Sequence, residues 1–393
     1  MRTAAPMPHA TCVFPPATED AAIGPRPSCP APPAQSAAML RRRDLIAAGS
    51  TALLAASVIR VQAQQPATPP GTADGGAAPW DDGLAHPIPY QPALGAGKER
   101  GLVLGGGGIY LASWMAGYMQ ALKSKGVDLA TADVIVGTSA GSLIGAMLTS
   151  GHLWRFGVEL DIFTEFPKIF ALIVPTMAPN ASQIRARHIA DTAVAADPAT
   201  IQAIGRGAMA ARNADGPSDY FNAVKRVIGV EKWPSPKLHT TANDCYTGER
   251  IVVSADDGIE VNHACAASSS LPGSMGPTWL KNRLCMDGGI CQTSTHSDVV
   301  AGVKKALIIS LTDGGADASK IGLRTSSLPN TLQQEVSDLK AQGTEVILKV
   351  VGLMPGTTRV DSLMDPKWIG PCLKNGNERG LADIEEMKAF WGA

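Results

Sequence analysis

Beyond about residue 100 the chain alternates short apolar runs with stretches whose apolar positions recur at helical spacing. Gly101-Leu102-Val103-Leu104 reads as a buried strand and runs into four glycines, Gly105 to Gly108. Met115, Tyr118, Met119 and Leu122 then fall at i, i+3, i+4 and i+7, which predicts a helix closed by Lys123, Lys125 and Gly126. Asp133-Val134-Ile135-Val136 repeats the strand pattern, and after Gly137 a second helix carries Leu143, Ile144, Met147 and Leu148 on one face as far as Gly151. Strand, helix, strand, helix implies a parallel sheet, because parallel neighbours need a crossover connection. Residues 152–235 read as helical, with Phe163, Phe166 and Phe170 at i, i+3 and i+7 and with Pro167 forcing a kink or a restart. Core packing is the simple role for these rings, and an acyl-chain channel or lid is the sharper one. Strand-like runs follow at 237–241, 250–254, 306–311 and 345–351, with helices between and no internal repeat. The expected architecture is α/β, with one domain over residues 100–393.

Composition narrows the class. The 393 residues are 45% hydrophobic and 18% charged, with 41 Gly and 29 Pro, so the chain can bury a sizeable core and is rich in turns. The formal net charge is −1 and basic residues do not cluster outside the N-terminal region, which argues against nucleic acid as a partner. Arg41, Arg42 and Arg43 precede an apolar run from Leu45 to Ile59 that closes on Val61-Gln62-Ala63. Residues 1–63 therefore read as an N-terminal extension with a twin-arginine-like signal, implying export, in a bacterium to the periplasm. A retained membrane anchor is the alternative. Upstream, the Pro/Ala-rich residues 1–38 make Met39 the expected true start, and 64–99 reads as a Pro/Gly/Ala-rich linker. Five cysteines follow, Cys245, Cys265, Cys285, Cys291 and Cys372; the odd number and the lack of C-x-x-C spacing predict buried thiols rather than a disulfide framework or a zinc site.

Three motifs carry chemistry. Gly137-Thr138-Ser139-Ala140-Gly141 fits G-x-S-x-G between a strand and a helix, where a sharp turn would expose a nucleophilic Ser139 and where Gly137 and Gly141 must be small because strand and helix approach closely. The Gly105–Gly108 run follows the neighbouring strand and opens a helix, so its backbone N–H groups converge on one point. No Lys-Ser/Thr follows for a P-loop, and G-x-G-x-x-G lacks its third glycine, so an oxyanion suits this nest better than a phosphate, with the Ala140 N–H completing it. A base must take the serine proton. Asp287, in Asp287-Gly288-Gly289, could do so directly, its glycines allowing the carboxylate to approach another backbone closely. His296 is the one histidine that fits the order serine, acid, histidine; otherwise it reads as a surface residue at a helix start.

In these motifs the chain resembles the patatin-like phospholipases, lipid acyl hydrolases with a Ser/Asp dyad. Gly105–Gly108, Gly137–Gly141 and Asp287–Gly289 match the family's oxyanion loop, elbow and D-G-G/A motif in order, and Ala266 to Gly273 resembles its A-S-x-x-x-P-G segment. The resemblance runs from Gly101 to at least Leu311. It implies a parallel-sheet α/β/α hydrolase fold with a helical insertion after the nucleophile helix, Ser139 as nucleophile, Asp287 as base, and Gly106, Gly107 and Gly108 as oxyanion donors. It implies a lipid or other acyl ester as substrate, contact with a membrane surface, and neither metal nor cofactor; it names no protein partner. Tyr110 and Leu111 stand where the family usually has Arg-Gly, and Asp313-Gly314-Gly315 offers a second Asp-Gly-Gly. The alternatives are a non-catalytic lipid- or partner-binding protein on a degenerate scaffold, and an α/β phosphate binder.

Overall fold

The computed structural model describes residues 94–173, 179–193, 197–211, 217–281, 283–290, 293–314, 331–355 and 363–392, all within one compact unit, Gly75–Ala393. The expected signal segment, nearly all of the expected linker, Cys291 and Gly315 lie outside the described residues.

The first four elements are β1 (Arg100–Leu104), α1 (Gly108–Ser124), β2 (Val134–Thr138) and α2 (Ala140–Thr149). β1 and β2 pair in parallel, Leu104 against Gly137, so the glycine loop and Ser139 emerge side by side at one end of the sheet. Five helices follow in the expected region: α3 (Leu153–Glu165), α4 (Pro167–Ile173), α5 (Ala181–Thr192), α6 (Pro198–Ala210) and α7 (Pro217–Ile228). Pro167 restarts the helix rather than kinking it, α5 opens on a capping box between Asn180 and Gln183, and α6 opens on Asp197 with Pro198 in its first turn.

The sheet then grows in both directions. β3 (Leu238–Asp244) lies parallel to β2, while β7 (Lys305–Ser310) and β8 (Glu345–Val350) extend the sheet beyond β1. Three antiparallel strands complete it: β4 (Arg250–Val253) on β3, β6 (Arg283–Asp287) also on β3, and β5 (Thr278–Leu280) on β6. The sequence pattern gives no hint of β5 and β6, whose apolar positions are interrupted by Lys281 and Arg283. They pair because β3 offers an open edge. Between and after these strands lie α8 (Val261–Ser268), α9 (Thr331–Ala341), α10 (Ile369–Ala382) and α11 (Ile384–Trp391).

Helix α1 is buried nearly all round, not on one face, because α10 covers the side turned away from the sheet. That contact uses small residues. A Cβ at Gly376 would overlap the Trp114 carbonyl, and one at Gly117 the Leu373 carbonyl. A helix that docks through glycines has a weak apolar stripe, which is why α10 leaves little trace in the hydropathy pattern. Cys245, Cys265, Cys285 and Cys372 are buried free thiols.

Candidate active site

Ser139 sits at φ 53°, ψ −120°, between β2 and α2. Side chains avoid this region, so the turn is strained and is held by its surroundings. The Ser139 N–H donates to Ser268 Oγ at 2.9 Å, which ties the turn to the end of α8. The flanking glycines are sterically required, as the pentapeptide implies. A Cβ on Gly137 would overlap the Gly141 carbonyl, and one on Gly141 the carbonyl of Leu104 in β1. Gly141→Ala is therefore expected to cost about 3 kcal/mol or more, read as a lower denaturation midpoint, since main chain cannot move aside as a flexible side chain does.

Asp287 reaches Ser139 through strand register. β2 and β4 both pair with Thr240 and Thr241 of β3, so they occupy opposite edges of it. β4 and β6 both pair with Ala242 and Asn243, which puts β6 on the same edge as β2. Thr138, the last residue of β2, faces Thr241, and Asp287, the last of β6, faces Ala242. The two strands run towards each other along one edge and end tip to tip, with serine following one tip and aspartate forming the other. Thr138 Oγ1 and Thr241 Oγ1, 2.7 Å apart, lie beneath the junction. A Cβ on Gly288 would overlap Thr241, so the first glycine of Asp-Gly-Gly does allow close passage over another backbone.

Asp287 is 3% exposed. Burial pushes its carboxyl up to about 6, against the lowering effect of hydrogen bonds from the Ser139 side chain and the Gly289 N–H, the latter 2.8 Å from Oδ1. The backbone around it is pinned: its N–H donates to the Ser270 carbonyl at 3.0 Å, and the Asn243 amide donates to its carbonyl at 2.8 Å.

The glycine loop lies against the serine, with Gly106 so placed that a Cβ would come within 3.2 Å of Ser139 Cβ. One expected donor is already taken. The Gly106 N–H donates to the Ser294 carbonyl at 3.1 Å and so cannot serve an oxyanion. The N–H groups of Gly107, Gly108 and Ala140 have no partner among the described residues. Gly108, at φ 60°, also packs so closely on Leu363 that a side chain would collide with its carbonyl.

These groups open into one pocket whose walls are apolar, including Ile109, Leu143, Phe156, Phe163, Val224 and Met275. Among the described residues that line it, Asp287 is the only charged one. Phe163 and Phe170, in edge-to-face contact at 5.6 Å, belong to the core and also line the pocket wall. Phe166 does neither and is 61% exposed. The Tyr220 hydroxyl of α7 donates to Ser269 Oγ at 2.6 Å and places a phenol in the pocket lining.

Two competing bases fall away. Asp313 is exposed and is not among the pocket residues. His296 starts a 3-10 turn, as its position suggests, but it is buried, not on the surface. Its Nε2 lies 2.9 Å from the Gly288 carbonyl and its Nδ1 3.3 Å from Arg250, so neither ring nitrogen is available to Ser139.

The model of the family described as patatin-like phospholipase matches residues 102–298, half of the chain. The chain belongs to the patatin-like phospholipase family. No curated protein sequence matches it. Among solved structures it is similar to VipD from Legionella pneumophila, at 14% identity over 75% of this chain and 68% of that one, with a TM-score of 0.38. It is also similar to ExoU in its complex with SpcU from Pseudomonas aeruginosa, at 19% identity over 74% of this chain and 52% of that one, with a TM-score of 0.33. It thus spans about half the length of ExoU.

Against the usual patatin-like pattern, the replacement of arginine by Tyr110 has a visible use. Tyr110 is fully buried beneath the loop, accepts the Met354 N–H at 2.8 Å, and lies 3.2 Å from the Gly352 carbonyl. Burial pushes its phenol up to about 12. It clamps the segment after β8 to α1. Sequence reasoning missed Ser268, Ser269 and Asn243 as supports of this patatin-like site. The serines lie in the Ala266–Gly273 segment that marks the family, but nothing local tells which of them turns to Ser139.

Proposed function

We propose that this protein is a carboxylic-ester hydrolase acting on lipid acyl esters, of the phospholipase A or lysophospholipase type. The Ser139 Oγ attacks the ester carbonyl while its proton passes to the Asp287 carboxylate. The new oxyanion is held by the N–H groups of Gly107, Gly108 and Ala140. Collapse of the tetrahedral centre expels the alcohol, which takes the proton from Asp287. Water, deprotonated by Asp287, then attacks the acyl-serine, and release of the fatty acid returns the proton to Ser139. One observation carries the reading: a strained serine and a buried, hard-to-ionise carboxyl meet at the wall of a pocket whose other described lining residues are uncharged and mostly apolar. The acyl chain lies along the phenylalanine wall. Among the described residues that line the pocket none is basic, which gives the phosphate-binding reading no support.

Contact with a lipid surface has its own support. Helix α3 buries Phe156 and Phe163 against the pocket, while Trp154, Val158 and Ile162, and Phe166 just beyond its end, are 67%, 51%, 42% and 61% exposed. These four recur every four residues and form a second apolar stripe on the pocket's own wall. Given a panel of defined phospholipids, lysophospholipids and soluble short-chain esters, the full chain is expected to release fatty acid from lipid. Trp154→Ser combined with Phe166→Ser should lower turnover on vesicles about tenfold and leave the soluble ester within about twofold. Hydrolysis of no lipid in the panel would defeat the lipid reading, and equal losses on both substrate types would remove the stripe's role.

A further inference from the structure

Thr293, Ser294, Thr295, His296 and Ser297 are all polar and all buried, in a segment that ends at Asp298. Buried polar groups persist where they are satisfied, and here the satisfaction runs into the site from two directions. Ser294 offers its carbonyl to the Gly106 N–H of the glycine loop at 3.1 Å. His296 offers Nε2 to the carbonyl of Gly288, the residue after Asp287, at 2.9 Å. The tautomer follows from its other neighbour. A guanidinium has only donors, so Arg250 Nη1, 3.3 Å from Nδ1, makes Nδ1 the acceptor and leaves the ring proton on Nε2. Arg250 is in turn fixed by two 2.8 Å hydrogen bonds to Asp298. From the scaffold side, Glu335 of α9 accepts Thr295 Oγ1 at 2.6 Å and Ser297 Oγ at 2.8 Å. One short segment is thereby tied to the loop that carries the oxyanion donors, to the peptide that follows the carboxyl group, and to a helix outside the site.

We propose that His296 is a positioning residue for Asp287: its Nε2–H, aimed by Arg250 and Asp298, fixes the Gly288 peptide, while Ser294 in the same segment fixes the glycine loop, so that proton acceptor and oxyanion donors keep one register. The inference rests on the Ser139–Asp287 reading above. It gives this histidine a task through the aspartate rather than in competition with it.

The left-handed backbone of His296, φ 52° and ψ 46°, supplies a discriminating pair of variants. Asparagine suits that conformation and can still accept from Arg250, but is too short to reach the Gly288 carbonyl. Glutamine carries an amide N–H out to where Nε2 lies. With the full chain and a soluble acyl ester, His296→Asn is expected to lower kcat about tenfold or more with KM within about twofold, the chain staying folded with a Tm lowered by several degrees. The acid limb of its kcat/KM profile should move to lower pH as Asp287 becomes better solvated. His296→Gln should recover kcat to within about threefold of wild type. Wild-type kcat and acid limb in His296→Asn, or equal impairment in the two variants, would overturn the inference. A second measurement needs no variant: nitrogen-15 NMR of the imidazoles in the wild-type chain should show His296 neutral with its proton on Nε2 at pH 5. Burial and the Arg250 charge depress its pKa to about 4 against the opposing pull of Asp298 and the hydrogen bond to Gly288. A proton on Nδ1, or titration near the ordinary histidine value, would overturn it equally. An inactive wild type, or an active Ser139→Ala control, removes the dyad reading and this inference together. Serine-dependent activity beside a wild-type-like His296→Asn removes this inference alone.

Discussion

Ser139→Ala is expected to lower turnover of a p-nitrophenyl acyl ester by about 10⁴-fold or more and to abolish labelling by a fluorophosphonate. The serine hydroxyls described beside it are engaged elsewhere. Ser268 Oγ is occupied by the Ser139 N–H, and Ser269 Oγ by Tyr220. The fold should survive, because the turn at φ 53° is set by the contacts of Gly137 and Gly141 and by Ser268, not by the Ser139 hydroxyl. Ser139→Gly extends the test. It should be as inactive as alanine but more stable than alanine by about 1 kcal/mol, since glycine adopts this backbone without steric cost. Chemical denaturation of the three proteins reads the strain, and the esterase assay reads the nucleophile. Retention of phosphonate labelling in Ser139→Ala would transfer the nucleophile elsewhere.

Asp287→Asn should be comparably inactive, about 10³-fold or more, and more stable than wild type at pH 8. Both effects come from burial. The folded carboxyl titrates near 6 and an ordinary aspartate at 3.8, so keeping Asp287 ionised in the fold costs about 3 kcal/mol. Because the folded value is raised, the native state holds this proton more tightly than the unfolded chain. The contribution is favourable below pH 3.8 and is lost as pH rises through 6. Asparagine is neutral throughout, and its side-chain oxygen can keep the Gly289 N–H. Its advantage should therefore be seen at pH 8 and vanish by about pH 4. Activity of the wild type runs the opposite way. It should rise with pH through about 6 as the base ionises, so the enzyme is most active where this residue stabilises it least. Tm of the two proteins measured from pH 4 to 8, beside the pH profile of kcat/KM, checks both signs. Parallel Tm curves would mean that the fold does not raise the Asp287 pKa, and an acid limb near 4 would mean that Asp287 is not the base.

Much of the site was legible because its rules are local. A serine flanked by glycines between strand and helix is a steric statement about a turn, and the overlaps at Gly137 and Gly141 repeat it atom by atom. The same holds for Asp-Gly-Gly, where Gly288 passes over Thr241. The glycine loop was legible as a cluster of N–H groups but not as a division of labour. Which of them stays free depends on Ser294, far along the chain. His296 read as a surface residue, since polarity is the usual mark of solvent. There it marks a buried network, a distinction that only its partners Glu335, Arg250 and Gly288 can make.

What the sequence determined by itself was the parallel strand–helix repeat, the helical region after it, and three motifs, because hydrophobic period and glycine sterics act over a few residues. What the tertiary structure decided was the meeting of Ser139 and Asp287. That meeting needs β6 to pair antiparallel with the stretch of β3 just beyond the end of β2, on the same edge, in a register set by residues remote in the chain. β6 is a short strand with no alternating pattern of its own, and its pairing is specified by the sheet that receives it.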